Sequence, residues 1–297
     1  MRDDAGRISR RALLVGAAGA VVVLGGGAAG ADYEIDQHPT WRAKLFGCGS
    51  EPALPSRGSY TVHTGAIESK AMGRSMPYSV AMTASNDLGQ QPLVLALPGE
   101  GASSSQIPDA VGLPNYANAI GLFGCIVSPG DVGSSYYHPR NDGTDMLTFL
   151  LDELVPHIER ALPVGGSRAT RALYGLSMGG YGALLLAQRR PDMFCAAAVA
   201  SPAVFPTYQA AITGHPGTFD SESDWQRYGV WDQRSAIGSV PIRIDCGDAD
   251  PFAATARHLL DDIPGAVGSI GSGCHDIAFW RKTAAQDLAF LKSHLPA

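Results

Sequence analysis

The chain has 297 residues, 45% hydrophobic and 17% charged, which is ordinary globular composition and enough apolar material for one large core without disulfides or metals. A net charge of -6 offers no basic stripe to neutralise a phosphate backbone, so nucleic acid is excluded as an expected partner. Five cysteines (Cys48, Cys125, Cys195, Cys246 and Cys274) are an odd number without Cys-x-x-Cys spacing, which removes the common zinc and redox motifs and leaves at least one cysteine free or paired between chains.

Arg2, Arg7, Arg10 and Arg11 precede an uncharged run over 12–31 rich in Ala, Val, Leu and Gly. That layout predicts an export signal over 1–31. Ser9-Arg10-Arg11-Ala12-Leu13-Leu14 follows the twin-arginine pattern, and Ala29-Gly30-Ala31 supplies small residues for a signal peptidase. The alternative is an uncleaved membrane anchor, weakened as a helix by its glycines, which would associate the protein with membrane or cell wall through its N-terminus. Gly25 to Gly30 matches the dinucleotide fingerprint in letters, but it lies inside this signal and follows no strand. No nicotinamide, flavin or other cofactor is expected, and no metal motif is present.

A Pro/Gly/Ser-bearing lead-in over 32–59 gives way to one domain over 60–297, where short β-rich runs alternate with helical patterns. Strands are predicted near 60–64, 78–83, 93–97, 123–128, 171–174, 196–200, 242–246 and, more weakly, 267–270. Helical spacing marks 145–162, with a kink at Pro156, while 178–188 is small and apolar enough for a buried helix against a sheet and 283–295 reads as a closing amphipathic helix. This alternation predicts a mainly parallel sheet with helices on both faces. The 202–240 segment, which carries turn residues, Trp225 and Trp231 but no sustained period, reads as an excursion that roofs a site.

Gly175-Leu176-Ser177-Met178-Gly179 follows a β-run and precedes a helix, the context of a nucleophile elbow in an α/β-hydrolase fold. A serine hydroxyl needs a base and a group to orient that base, in the chain order Ser, acid, His. Gly247-Asp248-Ala249-Asp250 follows a strand-like run and offers two carboxylates, between which the residues alone do not choose. Gly273-Cys274-His275, in a glycine-rich loop, offers the imidazole. An oxyanion requires backbone donors, assigned to the N–H of Met178 and, in the turn Leu97-Pro98-Gly99-Glu100-Gly101, to the N–H of Glu100 with Gly101 beside it. His138 is a candidate pocket residue.

These motifs, with Ser128-Pro129-Gly130, Tyr136-Tyr137-His138-Pro139-Arg140 and the run from Gly273 to Trp280, resemble the esterase D family of serine carboxylesterases and actinobacterial mycolyltransferases. The resemblance spans roughly 93–280. It implies a triad of Ser177, Asp250 and His275, with Asp250 chosen over Asp248, Gly101, His138 and Trp280 beside the substrate, and no cofactor. It further implies an acyl ester substrate, a lipid or an acylated sugar, with water or a sugar hydroxyl as acceptor. Pro98-Gly99-Glu100 departs from the oxyanion turn usual in mycolyltransferases, which favours hydrolysis over mycolate transfer. The competing reading of another class is a non-catalytic surface binding protein on the same scaffold, which would carry a damaged triad. With the acid and base loops on neighbouring strands, a Cys246–Cys274 disulfide is expected, against the alternative of two buried apolar cysteines, while Cys48 is structural or disulfide-forming.

Overall fold

The computed structural model describes residue 43 and residues 47–83 and 90–296; the expected export signal or anchor at 1–31 lies outside these residues. Among the described residues no helix is long and apolar enough to cross a membrane.

Eight strands form one sheet: β1 (Tyr60–Ser69), β2 (Arg74–Thr83), β3 (Leu93–Leu97), β4 (Cys125–Pro129), β5 (Arg171–Leu176), β6 (Ala196–Ala200), β7 (Ile242–Gly247) and β8 (Val267–Gly271). Their order is β1-β2-β4-β3-β5-β6-β7-β8. β1 and β2 are an antiparallel hairpin that also pairs antiparallel with β4, and every later pairing is parallel. β3 (Leu-Val-Leu-Ala-Leu) and β6 (Ala-Ala-Ala-Val-Ala) are buried along their whole length, as strands covered on both faces must be. β1, at the edge, alternates between partly buried and exposed positions along much of its length, with only Tyr60 and Ser69 at its ends buried.

The helices are α1 (Leu113–Ala119), α2 over 146–161, α3 (Met178–Arg189), α4 (Tyr208–Gly214), α5 (Glu222–Tyr228), α6 (Ala253–Asp262) and α7 (Ile277–Lys292). In α2 the Asp145 side chain caps the Thr148 N–H, and the residues Phe149–Leu154 widen into a π turn. Pro156 explains the widening, because it has no N–H with which to close the ordinary helical bond. The 202–240 excursion, expected to be irregular, contains α4, α5 and a 3₁₀ turn over Arg234–Ser239. Thr207 and Ser221 cap the two helices by accepting the N–H of Ala210 and Asp224. They are too short for a periodic signature.

Two apolar layers sandwich the sheet, one under α2, α3 and α6, the other under α1 and α7. The second layer includes a polar lock between β7 and α7. Asp245 and Asp287 are fully buried, and the Arg243 Nε lies 2.6 Å from Asp245 Oδ2 and 3.3 Å from Asp287 Oδ1. One guanidinium neutralises one carboxylate. Burial and the adjacent Asp245 accordingly push the Asp287 carboxyl well above the usual carboxylate range, leaving it protonated.

The sign of the linkage follows. Native Asp287 keeps a proton that the unfolded chain releases above about pH 4, so this group removes stability as pH rises from there toward the raised native value. Asp287→Asn, which keeps the shape without the ionisation, is expected to match the wild type in Tm near pH 4 and to exceed it by a few degrees at pH 8. An equal offset at both pH values in thermal melts would contradict the shared-proton lock.

Candidate active site

The site is built at the carboxyl ends of adjacent parallel strands, where the loops leave the sheet. Ser177 follows β5 directly, Asp250 lies three residues beyond β7, and His275 lies four beyond β8. Pairing of Leu97 with Gly175, Leu176 with Ala200, Ala200 with Asp245 and Gly247 with Gly271 brings the end of each of β3, β5, β6, β7 and β8 to within two residues of its neighbour's.

Ser177 has φ +55° and ψ −123°, an unfavourable conformation for a residue with a side chain. Its N–H donates to Ala200 O at 3.0 Å, and its carbonyl accepts from Tyr181 N–H at 3.1 Å and Ala203 N–H at 3.0 Å. The turn is tight on both sides. A Cβ on Gly175 would lie 2.1 Å from Gly179 O, and one on Gly179 would lie 1.9 Å from Leu97 O. Only glycine fits either position, which is the physical content of the Gly-x-Ser-x-Gly spacing.

The three side chains meet. His275 Nε2 lies 2.8 Å from Ser177 Oγ, and Nδ1 lies 2.8 Å from Asp250 Oδ2. An ionised carboxylate only accepts, so Nδ1–H donates to Asp250 and the Nε2 lone pair faces the serine hydroxyl. Asp250 is fully buried, and its Oδ1 accepts the Phe252 N–H at 2.8 Å. Asp248 takes the other position left open by the residues: its Oδ1 accepts the Gly273 N–H at 3.3 Å, so it ties the acid loop to the base loop. The imidazole ring sits between Phe252, 5.5 Å away, and Trp280, 5.4 Å away and edge-on. Trp280 is thus placed against the histidine.

The turn after β3 runs beside the serine, with the Gly99 Cβ position 3.6 Å from Ser177 Cβ. Gly99 N–H donates to Gln106 Oε1 at 2.7 Å, Gly101 N–H to Gly133 O at 2.9 Å, and Ala102 N–H to Gly99 O at 3.3 Å. Tyr137 Oη donates to Pro98 O at 2.7 Å. Among the described hydrogen bonds the Glu100 N–H alone in this turn is unspent, and Met178, first residue of α3, has no intrahelical acceptor for its own. Gly101 therefore shapes the turn and does not offer its N–H to a ligand.

The Glu100 carboxylate accepts from Ser134 Oγ and lies 3.0 Å from His215 Nε2, which joins the turn to the excursion over 202–240. Phe205 continues that roof, 5.4 Å from Phe252 and 6.1 Å from Tyr136. A cleft of about 400 Å³ opens beyond Ser134, lined by Arg74, Ser135, Arg140, Asp142, Thr144 and Asp220 among others, with no triad member.

Two expectations are corrected. His138 does not line a pocket: it is fully buried, stacked between Phe219 and Tyr228, with Nδ1 2.9 Å from Pro139 O and Nε2 3.1 Å from Thr218 O. Burial lowers its pKa against the opposing pull of Asp224. The Cys246–Cys274 disulfide is replaced by Cys48–Cys274, with Cα atoms 5.0 Å apart. Cys246 is a buried thiol whose pKa is raised far above the thiol range by burial and by Asp250. Gln106 and His215 were not singled out from sequence, and Tyr137 entered only as part of the Tyr136–Arg140 motif; nothing local marks a residue that supports a turn from elsewhere in the chain.

The Esterase family matches residues 69–290. S-formylglutathione hydrolase of Rattus norvegicus is 29% identical over 133 residues, 42% of this chain and 45% of that protein, so the match spans less than half the length of this relative. Among solved structures, a ferulic acid esterase superposes with TM-score 0.68 at 23% identity, covering 80% of this chain and 99% of the other. The S-formylglutathione hydrolase of Staphylococcus aureus gives 0.64 at 19% identity (78% and 98%), and MPT51 of Mycobacterium tuberculosis 0.61 at 18% (78% and 98%). At such identities the likeness establishes the fold, that of the α/β-hydrolases.

Replacing Ser177 with Ala is expected to lower kcat by at least ~10³-fold with circular dichroism unchanged. Asp250→Asn, which disturbs the histidine tautomer, is expected to cost on the order of 10³-fold or more, whereas Asp248→Asn should cost under about tenfold. Equal losses at positions 248 and 250 would contradict the assignment of the orienting carboxylate.

Proposed function

Because the chain belongs to the Esterase family and has the α/β-hydrolase fold, we propose that it is an exported serine esterase that cleaves carboxylic esters through an acyl-enzyme on Ser177. The observation that carries this is the hydrogen-bonded line from Ser177 Oγ through His275 to Asp250, with 2.8 Å at each step.

In this mechanism Ser177 Oγ attacks the ester carbonyl while His275 Nε2 takes its proton. The carbonyl oxygen becomes an oxyanion held by the N–H groups of Met178 and Glu100, where the positive end of α3 adds to the stabilisation. Asp250, accepting from Nδ1–H, steadies the imidazolium and remains ionised. The imidazolium then gives its proton to the leaving alcohol oxygen as the C–O bond breaks, and the acyl group stays on Ser177. Water, activated by His275 in turn, attacks the acyl carbonyl and releases the carboxylic acid.

The substrates proposed are acylated sugars or lipids of the cell envelope. Export rests on the twin-arginine pattern around Arg10 and Arg11. The cleft beyond Ser134, one loop from the oxyanion turn, sets hydroxyl and charged side chains beside Met72 and Val132 and so offers hydrogen-bond partners to a hydroxyl-rich group. Transfer of the acyl group to a sugar hydroxyl is the second reading, supported by that same cleft. A non-catalytic binding role finds no support in a triad that is geometrically intact.

The purified protein is expected to hydrolyse p-nitrophenyl esters, releasing p-nitrophenol and free acid in equal amounts across a chain-length series, with trehalose leaving the acid yield unchanged. Acyl-trehalose as the main product would replace hydrolysis with transfer, and no turnover of any ester would remove the reading altogether. For localisation, Arg10→Lys combined with Arg11→Lys should retain the protein in the cytoplasmic fraction; undiminished export would contradict the twin-arginine route.

A further inference from the structure

We infer that Cys48 is a positioning residue for the catalytic base: through its disulfide to Cys274 it fixes the loop that carries His275, so that the enzyme turns over at full rate only when oxidised. This rests on the esterase reading above for its assay and on no other part of it.

The bond joins residues 226 apart in sequence, and its second cysteine is the immediate neighbour of the imidazole. The base loop is held from one side by the acid loop. Gly271 O accepts the Asp248 N–H at 2.7 Å, Gly273 O accepts the Ala249 N–H at 2.9 Å, and Asp248 Oδ1 accepts the Gly273 N–H. On its own helix, Asp276 accepts the Phe279 N–H at 3.0 Å, and Lys282 Nζ donates to Ser272 O at 2.8 Å. A further hold is Cys48, bonded to Cys274.

Cys48 is itself anchored through the segment that follows it. Residues 47–57 form no helix or strand and are mostly exposed, so this length of chain contributes little to the core. It is nevertheless strapped down. Glu51 pairs with Arg281 of α7, whose Nε and Nη2 also donate to Ala110 O at 2.9 and 2.6 Å. Asn115 Nδ2 donates to Pro55 O at 2.6 Å, and Arg57 Nη2 lies 3.1 Å from Asp109 Oδ1. The strap is thus fixed to α1 and α7, and the disulfide passes that fixity to the backbone one residue before His275. A displacement of about 1 Å at such a position can cost on the order of 10²-fold in rate, so the tether bears on turnover as well as stability.

Redox chemistry is confined to this pair. Cys125, Cys195 and Cys246 are buried, and burial raises each thiol, Cys125 to about 12, so none presents a thiolate for exchange. Cys48 is partly exposed, while Cys274 is buried. A dithiol reductant attacks Cys48 Sγ as thiolate, forming a mixed disulfide as the Cys48–Cys274 bond breaks, and Cys274 leaves as a thiolate that takes up a proton. The second thiol of the reductant then closes its own disulfide and releases Cys48 as a thiol. Two electrons pass from dithiol to protein.

The experiment uses the full chain, oxidised or reduced with dithiothreitol and then desalted anaerobically, alongside Cys48→Ser. Expected on reduction or substitution is a fall of at least ~10-fold in kcat with KM within about twofold, together with a displaced acid limb of the kcat/KM–pH profile. Reoxidation should restore the wild type but not Cys48→Ser. An unchanged kcat and acid limb with a lowered Tm would overturn the inference, leaving a bond that only stabilises. Should the reduced protein melt near the assay temperature, Cys48→Ala/Cys274→Ala is compared at 10 °C by its rate of phosphonylation with a fluorophosphonate probe, normalised to the fraction folded by near-ultraviolet circular dichroism. A rate per folded molecule equal to that of the oxidised wild type overturns the tether, and a rate at least tenfold lower supports it. Since the probe needs only Ser177 and its base, absence of turnover on every ester would fail the substrate reading while the labelling rates still decide this one.

Discussion

Backbone contact around the serine is the constraint on which the remaining architecture depends. The β5–α3 turn passes so close to Leu97 O on one side and folds so tightly on itself on the other that Gly175 and Gly179 have no room for a Cβ. Compression of that kind forces Ser177 to φ +55°, and the strain persists because Ala200 O, Tyr181 N–H and Ala203 N–H hold its peptide groups in place. The reward is geometric. A hydroxyl lifted off the sheet edge can be reached by an imidazole from β8 while the first N–H of α3 and the β3 turn border the same space.

That arrangement makes the sheet register a catalytic quantity. With neighbouring strand ends within two residues of each other, Asp250, His275 and Ser177 arrive from three loops at 2.8 Å spacings without long, mobile side chains. The buried Arg243–Asp245–Asp287 lock acts on the same axis, because it fixes α7 to β7, and α7 begins two residues after the base. On the opposite side, the Glu100–His215 contact ties the oxyanion turn to the roof formed by 202–240. Phe205 and Phe252 extend this roof to one side of the imidazole, whose side chain stays 25% exposed for the exchange of substrate and product.

Much of this was legible in the residues. The apolar runs ending in Pro-Gly or Gly-Asp located β3, β4 and β7, and the small, apolar composition of 178–188 located α3 to within a residue. Those features are local and repeat along the chain. The edge hairpin was foreseen only in part, since β1 and β2 each extend well beyond the predicted runs. Helices α1, α4 and α5 escaped because seven residues cannot display a 3.6-residue period, although Thr207 and Ser221 carry capping chemistry that a search for starts alone would find. Contacts between distant segments were the least readable. Cys274 found Cys48 and not Cys246, because Cys246 sits in the core under the acid loop while Cys48 comes round from the strap beside α7. Composition holds no record of such an approach. His138 misled for a related reason: its place in a motif suggested the pocket, whereas Phe219 and Tyr228 enclose it.

The account stands or falls on a covalent bond to a single oxygen. Brief reaction with p-nitrophenyl acetate at low pH, followed by proteolysis and mass spectrometry, captures the enzyme between its two half-reactions. One acetyl group on Ser177, absent from the Ser177→Ala protein, is the predicted result. Free p-nitrophenol accumulating while Ser177 stays unmodified and another residue bears the acyl group would contradict it.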